Sequence, residues 1–423
     1  MVGCNGGGNL ITTSAKKLSF YITQTFSSLR YPNYRLWFIG QLISLAGTWM
    51  QSTAQGYLMY ELTQSSAMLG YVGFAGGLPS WFFTLYAGVV ADRIPRRKLL
   101  IITQTSMMIL AIILAILTFT KLVQPWHILV LAFLLGIANA FDAPSRQAFT
   151  LEMVERQDLT NAIALNSAMF TSAMVVGPAI GGLAYAAIGP GWCFTMNAIT
   201  FIAVIVALAL MKLKPLPMRP MKTNSWSDLQ EGLKYVVGHR IIRILIVNLG
   251  VISLLSLGVI TLLPAWSVDV LGGDATTNGL LLSARGVGSL ISALLIASLG
   301  GFNFRGKLLI FGSLGLPIMM FLFAFIHWIP LSLLVMVGMG LGFMLAANVT
   351  NALVQTQVHD ELRGRVMGVY TLIFFGAMPV GSLLAGILAS RVGEPATFIL
   401  CAILLLIFTL LVLLFYPSLK RLE

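Results

Sequence analysis

Two pairs of opposite charge stand four residues apart in this sequence, Asp92 with Arg96 and Asp142 with Arg146, each at the end of a long apolar stretch. On a helix that spacing brings the partners within reach, so the four can join in one network when their segments approach. A second pattern is a polar stripe: Gln41, Ser44, Thr48, Gln51, Ser52 and Gln55 recur by threes and fours and share one helical face. Amides turned to lipid without partners cost about 1 kcal/mol or more each. The stripe must therefore meet protein or a water-filled cavity.

Arg285 is the one basic residue set well inside an apolar stretch, where charge is costly and is normally paired or wetted. Three readings stay open for it: an anion-attracting cavity residue, an outer gate partner of Asp269, Asp274 or Glu61, or a side chain snorkelling to headgroups. No His lies deep within an apolar stretch, His127 standing only at the edge of one, and there is no Walker-type phosphate loop, no Ser/His/Asp grouping and no Cys/His cluster. Neither catalysis nor ATP hydrolysis has residues to perform it, and no cofactor or metal is implied. Cys4, Cys193 and Cys401 are scattered packing thiols.

These residues need rods that cross a bilayer to hold them. The chain has 423 residues, 58% hydrophobic and 9% charged, a balance that fits an integral membrane bundle. Twelve stretches reach the ~20 residues a transmembrane helix needs, at 34–60, 66–90, 98–119, 125–143, 162–188, 192–211, 241–265, 278–299, 307–326, 330–350, 366–389 and 395–416. All of the 26 lysines and arginines except Lys121, Arg285 and Arg391 fall in the first arm, in the loops after even-numbered spans, or in the tail. By the positive-inside rule those segments and both termini are cytoplasmic. The formal charge of +12 thus points to anionic headgroups and the lipid bilayer as partner, and not to nucleic acid.

The expected organisation is a cytoplasmic arm over 1–33 without a cleaved signal, a six-helix bundle over 34–211, a cytoplasmic linker over 212–240, a second six-helix bundle over 241–416 and a tail over 417–423. Within the linker, 225–237 alternates apolar and polar residues at helical spacing and predicts an amphipathic helix along the membrane face. The halves echo each other. Arg96-Arg97-Lys98-Leu99-Leu100-Ile101 opens span 3 as Arg305-Gly306-Lys307-Leu308-Leu309-Ile310 opens span 9, and spans 5 and 11 each carry one central proline, Pro178 or Pro379.

The run Gly88-Val89-Val90-Ala91-Asp92-Arg93-Ile94-Pro95-Arg96-Arg97-Lys98 resembles the loop 2–3 motif of the major facilitator superfamily, with Pro95 where that family usually has glycine. The second copy, near Gly301 to Lys307, keeps the basic end and lacks the Asp-Arg pair. Gly177-Pro178-Ala179-Ile180-Gly181-Gly182 in span 5 resembles the antiporter motif of that superfamily's exporters. Its small residues let another backbone approach and its proline kinks the span, and the resemblance makes Gly286 and Gly288 of span 8 its partners. The string from Gly136 to Phe149, with Asn33-Tyr34-Arg35-Leu36-Trp37 and Tyr60-Glu61-Leu62-Thr63, looks like the bacterial subgroup that includes enterobactin exporters. The arginine that many drug/proton antiporters carry within span 4 is missing.

The resemblance implies an all-α fold of two pseudo-symmetric six-helix bundles and alternating access about a central cavity lined by spans 1, 4, 7 and 10. It makes Gly88, Asp92, Arg93, Arg96, Asp142 and Arg146 gating residues, with Asp92 meeting span 11 and Arg96 meeting Asp142, and adds Gly177, Pro178, Gly181 and Gly182. The cavity set is Gln41, Ser44, Thr48, Gln51, Gln55, Asn139, Asn248, Asn348 and Arg285, with aromatic surface from Trp49, Tyr57, Phe141, Phe170, Phe343 and Met344. The expected activity is export of a small amphipathic, siderophore-like or drug-like molecule from the bacterial cytoplasm by a monomer, in exchange for protons taken up through Asp142 or Glu61. Uptake by symport, lipid flipping and a non-transporting receptor are the alternatives.

Overall fold

In a computed structural model, which describes residues 26–213, 225–299, 304–417 and 419, every regular element is a helix. The long helices are α1 (Pro32–Thr63), α2 (Ser66–Arg93), α3 (Arg96–Phe119), α4 (Pro125–Phe149), α5 (Leu159–Ile188) and α6 (Pro190–Leu210). The second set is α7 (Arg240–Val270), α8 (Ala275–Leu299), α9 (Arg305–Phe323), α10 (Ile329–Gln357), α11 (Asp360–Val392) and α12 (Glu394–Phe415). Between the sets lies a linker helix, Ser225–Gly238. The helices α3 to α12 are each long and apolar enough to span a membrane; in α1, 32 residues long, the glutamines dilute the apolar surface. Several helices outrun their apolar stretches, α4 ending at Phe149 and α11 starting at Asp360. Hydropathy marks the hydrocarbon layer, whereas hydrogen bonding carries the helix beyond it.

The turns repeat along with the helices. Gly189 ends α5 at φ +88° and Gly393 ends α11 at φ +85°, a conformation open to glycine at no steric cost. Pro190 then opens α6, and Glu394-Pro395 opens α12, prolines whose missing N–H is one of the donors that the first turn of a helix leaves unbonded in any case. Helix α7 differs from the rest: its turns widen to π geometry at Ser253–Leu257 and Trp266–Val270, and Ser253 donates its hydroxyl to the Phe374 carbonyl of α11 at 2.7 Å.

Two seams join the first six helices to the last six, α2 against α11 and α5 against α8. Both are made by glycine. A Cβ on Gly70 would lie 2.6 Å from the Ser382 carbonyl and 2.9 Å from Gly386 Cα, and one on Gly279 would lie 2.9 Å from Gly182 Cα. Such backbone approaches fit packing in lipid, where close contact replaces the hydrophobic effect as the force between helices.

The bundle has two unlike ends, the linker end and the far end. At the far end Tyr60 of α1 bonds Asp269 of α7, and Ser66 of α2 bonds Glu394 of α12. Beneath them Ala54, Leu58, Met59 and Leu69 share an apolar cluster with Ala265 and Ala275 from the second set. Deeper, Trp81 donates to the Gly376 carbonyl at 3.1 Å. These are the polar contacts between the two sets among the described residues, so the far end is the closed one.

At the linker end the chain before α1 docks on the start of α5. The Asp158 carboxylate accepts from Ser27 Oγ (2.8 Å), Arg30 Nη2 (2.5 Å) and Tyr31 Oη (2.8 Å). The Tyr31 hydroxyl above all, then Ser27, with help from the Arg30 charge, holds this carboxyl below its usual pKa. A depressed carboxyl stabilises the fold above its unfolded pKa and loses that contribution as pH falls through the folded one. The protection of residues 27–31 against hydrogen exchange, relative to the free-chain rate at the same pH, is therefore expected to fall below about pH 4, and Asp158→Asn to be poorly protected at neutral pH. Unchanged exchange in that variant would dismiss the contact as incidental. The linker helix docks too, Asp228 and Glu231 holding Arg365 of α11 at 2.8 and 2.6 Å.

Candidate transport cavity

A cavity of about 190 Å³ opens among the first six helices. Four stripe residues of α1, Gln41, Ser44, Thr48 and Ser52, form one wall, with Trp49 beside them. Asn139, Asp142 and Arg146 of α4 form another, and Gln104 and Met107 of α3, Phe170 of α5 and Phe201 of α6 complete it. Trp49 and Phe170 meet edge to face with ring centres 5.9 Å apart.

Asp142 is the chemical centre. It is 2% exposed. One carboxylate oxygen accepts from Gln104 Nε2 at 2.9 Å and lies 2.9 Å from Thr103 Oγ1; the other is 3.7 Å from Arg146 Nε. The Thr103 hydroxyl is also 3.0 Å from the Leu100 carbonyl, and its single hydrogen can serve only one of the two acceptors. The amide oxygens of Gln41 and Gln104 are buried and have no partner among the described residues.

Other expected residues go elsewhere. Gln51 turns aside to accept from Asn197 Nδ2 of α6 at 2.6 Å, and Gln55 is buried off the cavity wall. Asn248 sits 3.5 Å from Ser313 of α9, and Asn348 on α10 is partly buried without lining the cavity. Arg96 meets Glu152 at 2.9 Å and not Asp142, because α4 continues into a further turn that carries Glu152 past the end of the apolar stretch. Gly88, Asp92 and Arg93 stand on the described backbone of α2, but their side-chain placement lies outside the described residues. Glu61, at the far end, accepts a hydrogen bond from Tyr185 of α5.

The span 5 motif divides its faces. A Cβ on Gly177 or Gly181 would meet α1 at Ala46, Trp49 and Met50, whereas Gly182 and the Pro178 carbonyl meet Gly279 of α8. Gly286 does pack on α5, at Met174, but Gly288 packs on α10. Gln104 was missed from sequence; the Thr103-Gln104 pair within an otherwise apolar α3 was its signal.

Two glycine-sealed seams around a polar, aromatic cavity define a membrane transporter of the major facilitator type. Residues 23–421 match the profile of the transmembrane secretion effector family, and the chain belongs to that family. It is similar to the multidrug efflux pump Tap of Mycolicibacterium fortuitum, 29% identical over 391 residues that cover 89% of this chain and 94% of that protein. Tap of Mycobacterium tuberculosis (strain ATCC 25618 / H37Rv) is 30% identical over 414 residues, covering 94% and 96%. The staphyloferrin A transporter of Staphylococcus aureus (strain NCTC 8325 / PS 47) is 25% identical over 367 residues, covering 86% and 91%. Among solved structures, the nucleoside transporter NupG superposes with a TM-score of 0.71 at 14% identity, over 92% of this chain and 100% of that one. A bacterial homologue of the human lysosomal transporter Spinster gives 0.71 at 12% identity, over 92% and 97%; these two likenesses concern the fold.

Proposed function

We propose that the protein exports a small amphipathic molecule across the bacterial cytoplasmic membrane by alternating access, in exchange for protons. Twelve crossings put the linker end, rich in Lys and Arg, in the cytoplasm. The observation that carries the reading is the pairing of a far end closed by Tyr60–Asp269 and Ser66–Glu394 with a cavity that reaches toward the linker end as far as Gln41 and Arg146. A molecule would enter from the cytoplasm and leave once the far contacts part and the linker end closes, the two six-helix sets rocking about the cavity. The efflux-pump name of the two Tap relatives supports this direction.

Asp142 is the proton site of this reading. While it is charged, the Thr103 hydrogen points at its carboxylate. Once it is protonated, the new O–H donates to Thr103, whose hydrogen turns to the Leu100 carbonyl, and the attraction of Arg146 is released. Each protonation state thus has its own acceptor for the Thr103 hydrogen. Glu61 faces the far end beside Tyr185 and gives the proton an outer acceptor.

Comparing spent medium with cell extract, in cells with and without the protein, tests export. The expected result is a compound held in cells that lack it, and the same compound accumulating in everted vesicles when a proton gradient is imposed. Accumulation in right-side-out vesicles alone would show uptake and overturn the proposal.

A further inference from the structure

Arg285 lies ten residues into α8 from Ala275, roughly 15 Å along the axis at 1.5 Å per residue, which is about the middle of a ~30 Å hydrocarbon core. It does not snorkel. The lipid face of α8 is marked by the exposed Leu280, Ile291 and Leu294, and at 3.6 residues per turn Arg285 stands about 140° from Leu280 and about 120° from Ile291. Its guanidinium lies over the Phe343 ring of α10, 5.3 Å from the centre. Phe343 in turn is about 180° round α10 from the lipid-exposed Leu334. Both side chains face the bundle interior.

No acid answers this charge. Asp269 is taken by Tyr60 and Glu61 by Tyr185, while Asp274 caps α8 by accepting from Thr277 N at 3.1 Å. Among the described residues Arg285 has no ion-pair partner, and stacking on a ring leaves its N–H donors without an acceptor. Asn278, two turns earlier on the same face, is fully buried with both its amide atoms unpartnered. The site also adjoins the cavity: Gly286 abuts the Met174 carbonyl of α5, and Phe170, on the cavity wall, is one turn from Met174, roughly 5.4 Å along the helix.

We propose that Arg285 and Phe343 form an anion-recognising subsite that takes the carboxylate of an amphipathic substrate, its apolar body lying against Trp49 and Phe170. This rests on the transport reading and names its substrate class. The planar fork of Arg285 matches two carboxylate oxygens at once, and a carboxylate there supplies the charge that the chain itself withholds. A cationic substrate would instead meet like charge in a medium of low polarity.

The test uses the full chain in phosphatidylcholine nanodiscs with two probes of one shape, naphthoate and its uncharged amide naphthamide, read by quenching of tryptophan fluorescence. Naphthoate is expected to bind about tenfold more tightly, the worth of a hydrogen-bonded charge pair. Arg285→Gln should abolish that preference by weakening naphthoate far more than naphthamide, and Arg285→Lys should restore part of it. Equal affinity of the wild type for both probes, no binding of naphthoate, or a preference that survives in Arg285→Gln would overturn the proposal. A structural role alone would weaken both probes together. Everted vesicles given the same probes separate the two ideas: a charge preference in binding without gradient-driven accumulation would leave the subsite standing and remove export.

Discussion

Asp142→Asn is expected to reduce proton-driven export to the level of vesicles lacking the protein, while the protein stays folded. Asparagine keeps an oxygen where Gln104 Nε2 and Thr103 Oγ1 donate, both at 2.9 Å, so stability should fall by only about 1 kcal/mol, the worth of one ordinary hydrogen bond. What it removes is the proton and the charge that faces Arg146. Substrate exchange down its own gradient, which needs no proton, should continue. Asp142→Ala should behave differently, because the Gln104 amide would be stranded in a buried wall at a cost of about 1–3 kcal/mol. Melting curves with flux assays on the two variants check both halves of the argument. Full gradient-driven flux in Asp142→Asn would remove this residue from the proton path.

The second large effect is expected at the α2–α11 seam. Gly70→Leu places a Cβ 2.6 Å from the Ser382 carbonyl and 2.9 Å from Gly386 Cα. Both are backbone, so no side chain can swing away and the helices must part. Overpacking of this kind costs about 1–3 kcal/mol, charged to the closed state alone, since the seam opens when the far end does. The Ser66–Glu394 bond lies one turn away and should be lost with it. The variant should therefore rest with its far end open and transport poorly. Gly368→Ala on α11 is the control: no atom lies within 4 Å of its added Cβ, and a helical alanine should stabilise by up to about 1 kcal/mol. Thiol labelling at the far end reads the difference, and equal labelling in Gly70→Leu and wild type would contradict it.

The helices were legible because apolar length is a direct physical demand of the bilayer, and so was the side of α1 that avoids lipid. Which neighbour sits opposite that side was not. Gln41, Ser44, Thr48 and Ser52 reach the cavity, but Gln51, at the edge of the same stripe, finds Asn197 on α6, and helical periodicity alone cannot report the angular position of another helix. The same gap explains Arg96, whose partner Glu152 lies beyond the apolar stretch of α4. The resemblance offered Asp142 in that role, yet the hydroxyl and amide of Thr103 and Gln104 hold it instead. For Arg285 the sequence left three fates open. The anion-recognising reading is the one proposed above, because Asp269 and Glu61 bond Tyr60 and Tyr185 and the exposed residues of α8 lie on another face.

Alternating access is the central claim, and distances between spin labels across the two ends test it most directly. Labels at Leu62 on α1 and Val392 on α11 report the far end, and labels at Gln147 on α4 and Gln355 on α10 report the linker end. The account predicts a short far-end distance and a long linker-end distance in the resting protein. In Gly70→Leu both should move together toward the opposite pattern, the far pair lengthening as the linker pair shortens. Two distances that stay fixed, or that lengthen at both ends at once, would contradict a rocking transporter.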